Sequence, residues 1–161
     1  MGQMIKVGMA DLKLCKAPDK ITTLGLGSCV GIAIRDPQTK VGGLAHIMLP
    51  DSTQISSNSV KAKFADTGVR ELVDLMVKNG AGRSRMVAKI AGGAKMFAFN
   101  SKNDLMSVGD RNVEAVKKAL GALRIPILAQ DTGDSYGRTV EFDPETGEFL
   151  IKAVGRGQRT I

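Results

Sequence analysis

Between residues 4 and 49 the chain is cut into short β-branched or apolar runs, at 4–14, 21–25, 29–35 and 41–49, each bounded by Pro, Gly or Asp. Runs this short, separated only by turn residues, suit strands that fold straight back on one another; parallel βαβ units need a crossover of a dozen or more residues between strands. Helical periodicity starts only afterwards. From Phe64 onward, Ala65, Val69, Leu72, Val73 and Met76 share one stripe that stops at Asn79-Gly80. A second stripe of Val113, Val116, Leu120 and Leu123 starts near Asp110. Residues 86–91, 125–130, 139–142 and 149–154 read as further strands, the last two joined by the turn Asp143-Pro144-Glu145-Thr146-Gly147. Early strands and late helices predict an α+β sandwich in one domain covering 1–161. The Ser-rich stretch 51–63 has no period and reads as a surface loop, either a lid or slack.

Composition narrows the function classes. The 161 residues carry 23 Lys and Arg against 16 Asp and Glu, a net +7, yet only five Phe, one Tyr and no Trp. Single-stranded nucleic acid binders stack bases on aromatic side chains, so this basic chain is not read as one of them. One histidine and two cysteines leave no paired zinc spacing, and no metal or other cofactor is expected. Apolar residues near the start are interrupted by Gln3, Lys6, Asp11 and Lys13, which fits neither a signal peptide nor a membrane span. The expected setting is a reducing cytoplasm with Cys15 and Cys29 free. Gly25-Leu26-Gly27 fails as a dinucleotide fingerprint because Val30 stands where the third glycine belongs and a strand follows.

The chemistry-bearing residues meet through a hairpin. Asp36-Pro37-Gln38-Thr39 has the residues of a type I turn, which would pair Arg35 with Lys40 and make opposed residue numbers total 75. In that register Cys29 lies directly opposite His46, the sole histidine. Val30, Ile32, Ile34, Val41, Ala45 and Ile47 then share the other, apolar face, while Gly31, Ala33 and Gly42 leave space beside the cysteine. A one-residue slip would separate Cys29 from His46 onto opposite faces. A thiol beside an imidazole can attack a carbonyl carbon once its proton is taken, and the imidazole can return that proton to a leaving amine. Thr22, Thr23 and Ser28 are the hydroxyls near enough to orient the ring, and backbone N–H groups of Gly27 to Cys29, with Ser28 between them, are the candidate oxyanion donors. Two other roles stay open: a docking module without catalysis, and a redox pair in which Cys15 and Cys29 form a disulfide.

The stretches Thr23-Leu24-Gly25-Leu26-Gly27-Ser28-Cys29, Ala45-His46-Ile47-Met48-Leu49-Pro50, Lys89-Ile90-Ala91-Gly92-Gly93-Ala94-Lys95-Met96-Phe97, Gly109-Asp110-Arg111-Asn112 and Gly137-Arg138-Thr139-Val140 together resemble the chemoreceptor glutamine deamidase (CheD) family. The resemblance covers nearly the whole chain in order. It implies a catalytic set of Cys29, His46 and Thr23, and a layered sandwich of mixed β-sheets with two main helices packed on one side, similar to cysteine-dependent deamidase toxins. It further implies hydrolysis of glutamine side chains on methyl-accepting chemotaxis receptors through a cysteine thioester, a secondary receptor methylesterase activity, and a chemotaxis phosphatase of the CheC type as partner. Where many relatives have paired glycines this chain has Gly133-Asp134, which questions the loop shape there but not the catalytic set.

Overall fold

The computed structural model describes residues 2–96 and 107–161; Phe97, the last residue of the 89–97 motif, lies outside them. Among the described residues ten strands form two five-stranded sheets, and two α-helices cover the outer face of one of them. The first sheet has the order β1(Met4–Val7), β3(Lys20–Leu26), β8(Arg138–Phe142), β9(Phe149–Ala153), β10(Gly157–Thr160). The second has β2(Asp11–Lys16), β5(Val41–Ile47), β4(Val30–Asp36), β6(Val87–Gly92), β7(Ile127–Thr132). Each is mixed, with one parallel pair, β1 with β3 and β6 with β7.

The layering explains the sequence pattern. Strands β4 and β5 lie inside the second sheet, covered by helices on one face and by the first sheet on the other, so every residue of β5 is buried and β4 is buried except at Arg35. Strands enclosed on both faces carry continuous apolar runs instead of alternation. On the helix side, Val30, Ile32, Ile34, Val41, Ala45 and Ile47 pack against Val69, Leu72, Val73 and Met76 of α1(Ala65–Lys78) and against Val113, Val116 and Leu120 of α2(Val108–Ala122). Burying a side chain of this kind stabilises by about 1.5–3 kcal/mol, so tertiary packing outweighs helix propensity here. Between the sheets lie Cys29, Ala33, Leu44 and Ala91 from the second and Ile21, Leu26, Val140, Phe142, Phe149 and Ile151 from the first.

Three sequence expectations are corrected. The run at 4–14 is two strands: Ala10 adopts φ 55 after Gly8, the chain turns, and β1 and β2 enter different sheets. Strand β10 was not anticipated because Gly157-Gln158-Arg159-Thr160 is exposed throughout and has no apolar face to betray it. The β4–β5 register also differs. Asp36 pairs with Val41 and Gly31 with His46, so opposed numbers total 77 and Cys29 is not directly opposite His46. The four-residue loop keeps its length but sits one position later, at 37–40 instead of 36–39, so the total rises by two; Lys40 takes φ 59 and its N–H donates to the Asp36 carbonyl at 2.8 Å. The change is even, so the faces are preserved: His46 still shares a face with Gly31 and hence with Cys29.

Asp36 holds this turn in place. Its carboxylate is fully buried and accepts hydrogen bonds from Gln38 N–H at 2.9 Å, Gly82 N–H at 2.7 Å and Arg85 Nη2 at 2.7 Å. Stretch 51–63 is likewise tied down at its ends: Met48 and Leu49 N–H donate to Lys63 C=O, and Ser52 Oγ donates to Asp66 Oδ2 at 2.6 Å.

The Arg85 guanidinium and two backbone N–H groups hold the Asp36 carboxyl well below the usual carboxylate range. A folded-state pKa below the unfolded value contributes stability above about pH 4 that is lost on acidification. Urea unfolding should therefore show Asp36→Asn less stable than wild type by about 2–4 kcal/mol at neutral pH, with the gap narrowing as pH falls below about 4. An unchanged midpoint at neutral pH would refute the anchoring role.

Candidate active site

Thr23 reaches the site because β3 carries a bulge. Thr23 pairs with Val140 and Leu26 with Arg138, so Leu24 and Gly25 oppose the single residue Thr139. Gly25 makes this possible at φ 71, a backbone conformation that costs glycine little. Leu24 is expelled to 60% exposure, and both Thr23 and Leu26 turn toward the second sheet. There they fill the space over Gly31, where a Cβ would lie 3.1 Å from Leu26 Cδ1 and 3.7 Å from Thr23 Cγ2. The room that small residues were expected to leave at Gly31 is thus taken by β3.

The contact that defines the site crosses between the sheets. Thr23 Oγ1 lies 2.7 Å from His46 Nδ1 and 2.8 Å from the carbonyl oxygen of Val7. A hydroxyl has one proton, and a carbonyl can only accept. Thr23 therefore donates to Val7 and must accept from His46, which fixes the imidazole as the Nδ1–H tautomer. Nε2 is left with its lone pair, buried and without a partner among the described residues. Cys29 stands just beyond the last β4–β5 pair, on the His46 face and one diagonal step away, a separation of about 7–8 Å between Cα atoms that longer side chains span. Of the three hydroxyls considered, Thr23 takes the orienting position; Thr22 Oγ1 instead donates to Val140 C=O at 2.7 Å.

Burial sets the protonation states. It pushes the Cys29 thiol up, opposed more weakly by the residue's own backbone N–H, and pushes His46 down. Both shifts favour a neutral thiol beside a neutral imidazole over a thiolate–imidazolium pair. Cys15 is pushed further, to about 12, by desolvation and then by Asp19 and Asp143. Both thiols are free. Cys15 pairs with Gly42, which pairs with Arg35, so Cys29 lies six residues along β4, roughly 20 Å away. A disulfide needs Cα atoms within about 7 Å, and the redox pairing is ruled out in this fold.

The Cys29 backbone is pinned by the exit of β6. Gly93 N–H donates to Cys29 C=O and Ala94 N–H to Gly27 C=O, both at 2.8 Å. Gly92, at φ 112, lies so close that a Cβ there would collide with the Cys29 carbonyl oxygen. The Gly27 N–H is committed to Gly25 C=O at 3.1 Å, which removes it from the candidate oxyanion donors. Among the described residues the N–H groups of Ser28 and Cys29 donate to no carbonyl, and they remain as the candidate pair. At Gly133-Asp134 both residues adopt left-handed φ, 83 and 57, so Asp134 takes the conformation a second glycine would supply, and its carbonyl accepts from Lys95 N–H at 2.8 Å. The Val7 carbonyl was beyond sequence reasoning, because a backbone acceptor leaves no residue-type signal. Among the described residues no three His, Cys, Asp or Glu side chains converge as a metal site.

Comparison with known proteins gives a consistent picture. The profile of the family described as "CheD chemotactic sensory transduction" matches residues 48–153. The chain is similar to the probable chemoreceptor glutamine deamidase CheD of Lachnoclostridium phytofermentans, 65% identical over 161 residues and covering 100% of both chains. It is 54% identical to the protein so named in Syntrophomonas wolfei, again over 100% of both chains. With the chemoreceptor glutamine deamidase CheD of Bacillus licheniformis it shares 49% identity over 159 residues, 98% of this chain and 95% of that one. A crystal structure of the Bacillus licheniformis hypothetical protein YfiH superposes with a TM-score of 0.50 at 14% identity, covering 76% of this chain and 50% of that chain, which is a likeness of fold.

Because the chain has a single histidine, its tautomer can be read without assignment ambiguity. Long-range ¹H–¹⁵N spectra at neutral pH should show Nδ1 protonated and Nε2 bare, with a titration midpoint below the ordinary value of about 6.5. An Nε2–H tautomer would contradict the hydrogen-bond scheme.

Proposed function

The chain belongs to the CheD family of chemoreceptor glutamine deamidases, and from that premise we propose that it hydrolyses receptor glutamine side chains to glutamate through a thioester on Cys29. The observation that carries this reading is the Thr23–His46 contact: with the Thr23 proton given to Val7, the ring presents a bare Nε2 on the face that bears Cys29.

His46 Nε2 takes the thiol proton as Cys29 Sγ bonds to the amide carbon of the glutamine side chain, and the carbonyl oxygen becomes an oxyanion facing the N–H groups of Ser28 and Cys29. The C–N bond then breaks, His46 returns the proton to the departing nitrogen, and ammonia leaves a thioester. Water attacks the thioester with His46 again taking a proton, the C–S bond breaks, and the thiolate recovers its proton as glutamate departs. The neutral resting pair suits this sequence, since the thiolate forms only as the carbon is attacked. Thr23 holds the ring but carries no charge, so it orients the imidazolium without the ionic support a carboxylate would give.

The same acyl-thioester route accepts a methyl ester, with methanol in place of ammonia, which supports the secondary methylesterase reading. A phosphatase of the CheC type as partner and a cytoplasmic location are supported by family membership. No helix among the described residues is long and apolar enough to cross a membrane.

Incubated with a receptor signalling fragment and followed by mass spectrometry, wild type should convert amide to acid, and Cys29→Ala should convert none. Thr23→Val should lower kcat on the order of tenfold to a hundredfold. The kcat/KM profile should rise with pH through a midpoint below about 6.5 as His46 loses its proton, then level off. Undiminished conversion by Cys29→Ala would overturn the mechanism and leave a docking role for the fold.

A further inference from the structure

Strands β4 and β5 part just where the reactive residues lie. Their last pair is Val30 with Ile47; beyond it the Met48 N–H turns away to Lys63 C=O, and the Cys29 carbonyl is taken by Gly93. His46 is still in the ladder, opposite Gly31, but beyond Val30 and Ile47 no ladder bond ties the Ser28–Cys29 segment to the one that continues at Met48. One side chain bridges this fork. Asn112, in the second turn of α2 and completely buried, donates from Nδ2 to Ser28 C=O at 2.9 Å and to Met48 C=O at 3.0 Å. Both partners are carbonyl acceptors, so the amide cannot be flipped, and both of its protons are spent. Its oxygen is buried with no partner among the described residues. An unpaired buried carbonyl oxygen is costly, so an amide tolerated here is valued for its two donors. Aspartate has the same shape but would set an acceptor against two acceptors.

The helix that carries Asn112 is itself seated on the Cys29 loop. A Cβ at Gly109 would lie 2.5 Å from Gly93 O and 2.6 Å from Ala94 O, the backbone whose N–H groups hold Cys29 and Gly27. The first turn of α2 thus rests on the β6 exit, and the second turn delivers the amide to the fork.

We propose that Asn112 is a positioning residue that sets the Cys29-to-His46 separation by clamping the Ser28 and Met48 carbonyls; the inference rests on the reading of Cys29 and His46 as the reacting pair. Asn112 touches neither reacting atom and acts through the backbone on either side of them. Removing it should impair proton transfer within the pair more than substrate binding.

The test is the pH dependence of Cys29 alkylation by iodoacetamide, read on the tryptic peptide 21–35, which separates it from Cys15 in 14–16. Wild type should show a reactivity shoulder that rises as His46 loses its proton, with a midpoint below about 6.5, from thiol deprotonation assisted by His46, and His46→Ala should lack it. Asn112→Ala, with native circular dichroism, should lose most of that shoulder, and its deamidation kcat should fall on the order of tenfold to a hundredfold with KM within about twofold. Asn112→Ser, which keeps one donor, should fall between. A folded Asn112 variant that keeps the full shoulder overturns the proposal, even if turnover drops, because Asn112 would then serve the fold or substrate binding. Failure of both variants to fold overturns it in the same sense. If wild type shows the shoulder but deamidates nothing, the substrate reading fails while the alkylation comparison still decides the role of Asn112; a wild type without the shoulder removes both.

Discussion

The pairing of β4 with β5 is the constraint from which the rest of the site follows. It is held at one end by the buried Asp36 carboxylate, which receives Arg85 and two backbone N–H groups, and at the other by the transition from ladder to loop after Val30 and Ile47. Side chains alternate along a strand, so a slip of one residue would turn Cys29 and His46 to opposite faces of the sheet and put apolar residues between the sheets in the wrong order. The turn is enforced by charge, hydrogen bonding and a left-handed Lys40, not by local propensity alone. The geometry of the proposed reacting pair, more than about 15 Å from the turn, thereby depends on the ion pair of Asp36 with Arg85.

The second sheet supplies what the first cannot. Among the described residues no carboxylate hydrogen-bonds the His46 ring, although Asp11 is its cross-strand partner on β2, so the orientation of the ring falls to a hydroxyl, and a hydroxyl defines a tautomer only if its own proton is committed elsewhere. The Val7 carbonyl makes that commitment, because β1 lies parallel to β3 with Val7 beside Thr23. The Gly25 bulge then brings Thr23 and Leu26 onto the same inward face, one to hold the imidazole and the other to fill the space above Gly31. Burial between the sheets favours a neutral thiol and a neutral imidazole at rest.

Much of this was legible in the sequence, for identifiable reasons. The two helices announce themselves because their stripes face a single layer; β4 and β5 do so because enclosure on both faces demands unbroken apolar runs. The face shared by Cys29 and His46 follows from alternation, which an even change of register leaves intact. What escaped depends on backbone: the left-handed Lys40 that shifts the turn by one position, the Ala10 turn that divides 4–14 between two sheets, the Val7 acceptor and the engaged Gly27 N–H. Edge strand β10 escaped for the opposite reason, since a strand exposed on every residue buries nothing that a hydrophobic pattern could report.

The central claim is that Cys29 carries the acyl group during turnover. Acid quenching of the protein with a receptor signalling fragment, followed by digestion and mass spectrometry, tests it most directly. The account predicts a transient adduct on the peptide containing Cys29, lighter than the sum of its parts by one ammonia and cleaved by hydroxylamine. Steady conversion of glutamine to glutamate with no such adduct at any quench time, and the same conversion from Cys29→Ala, would contradict it.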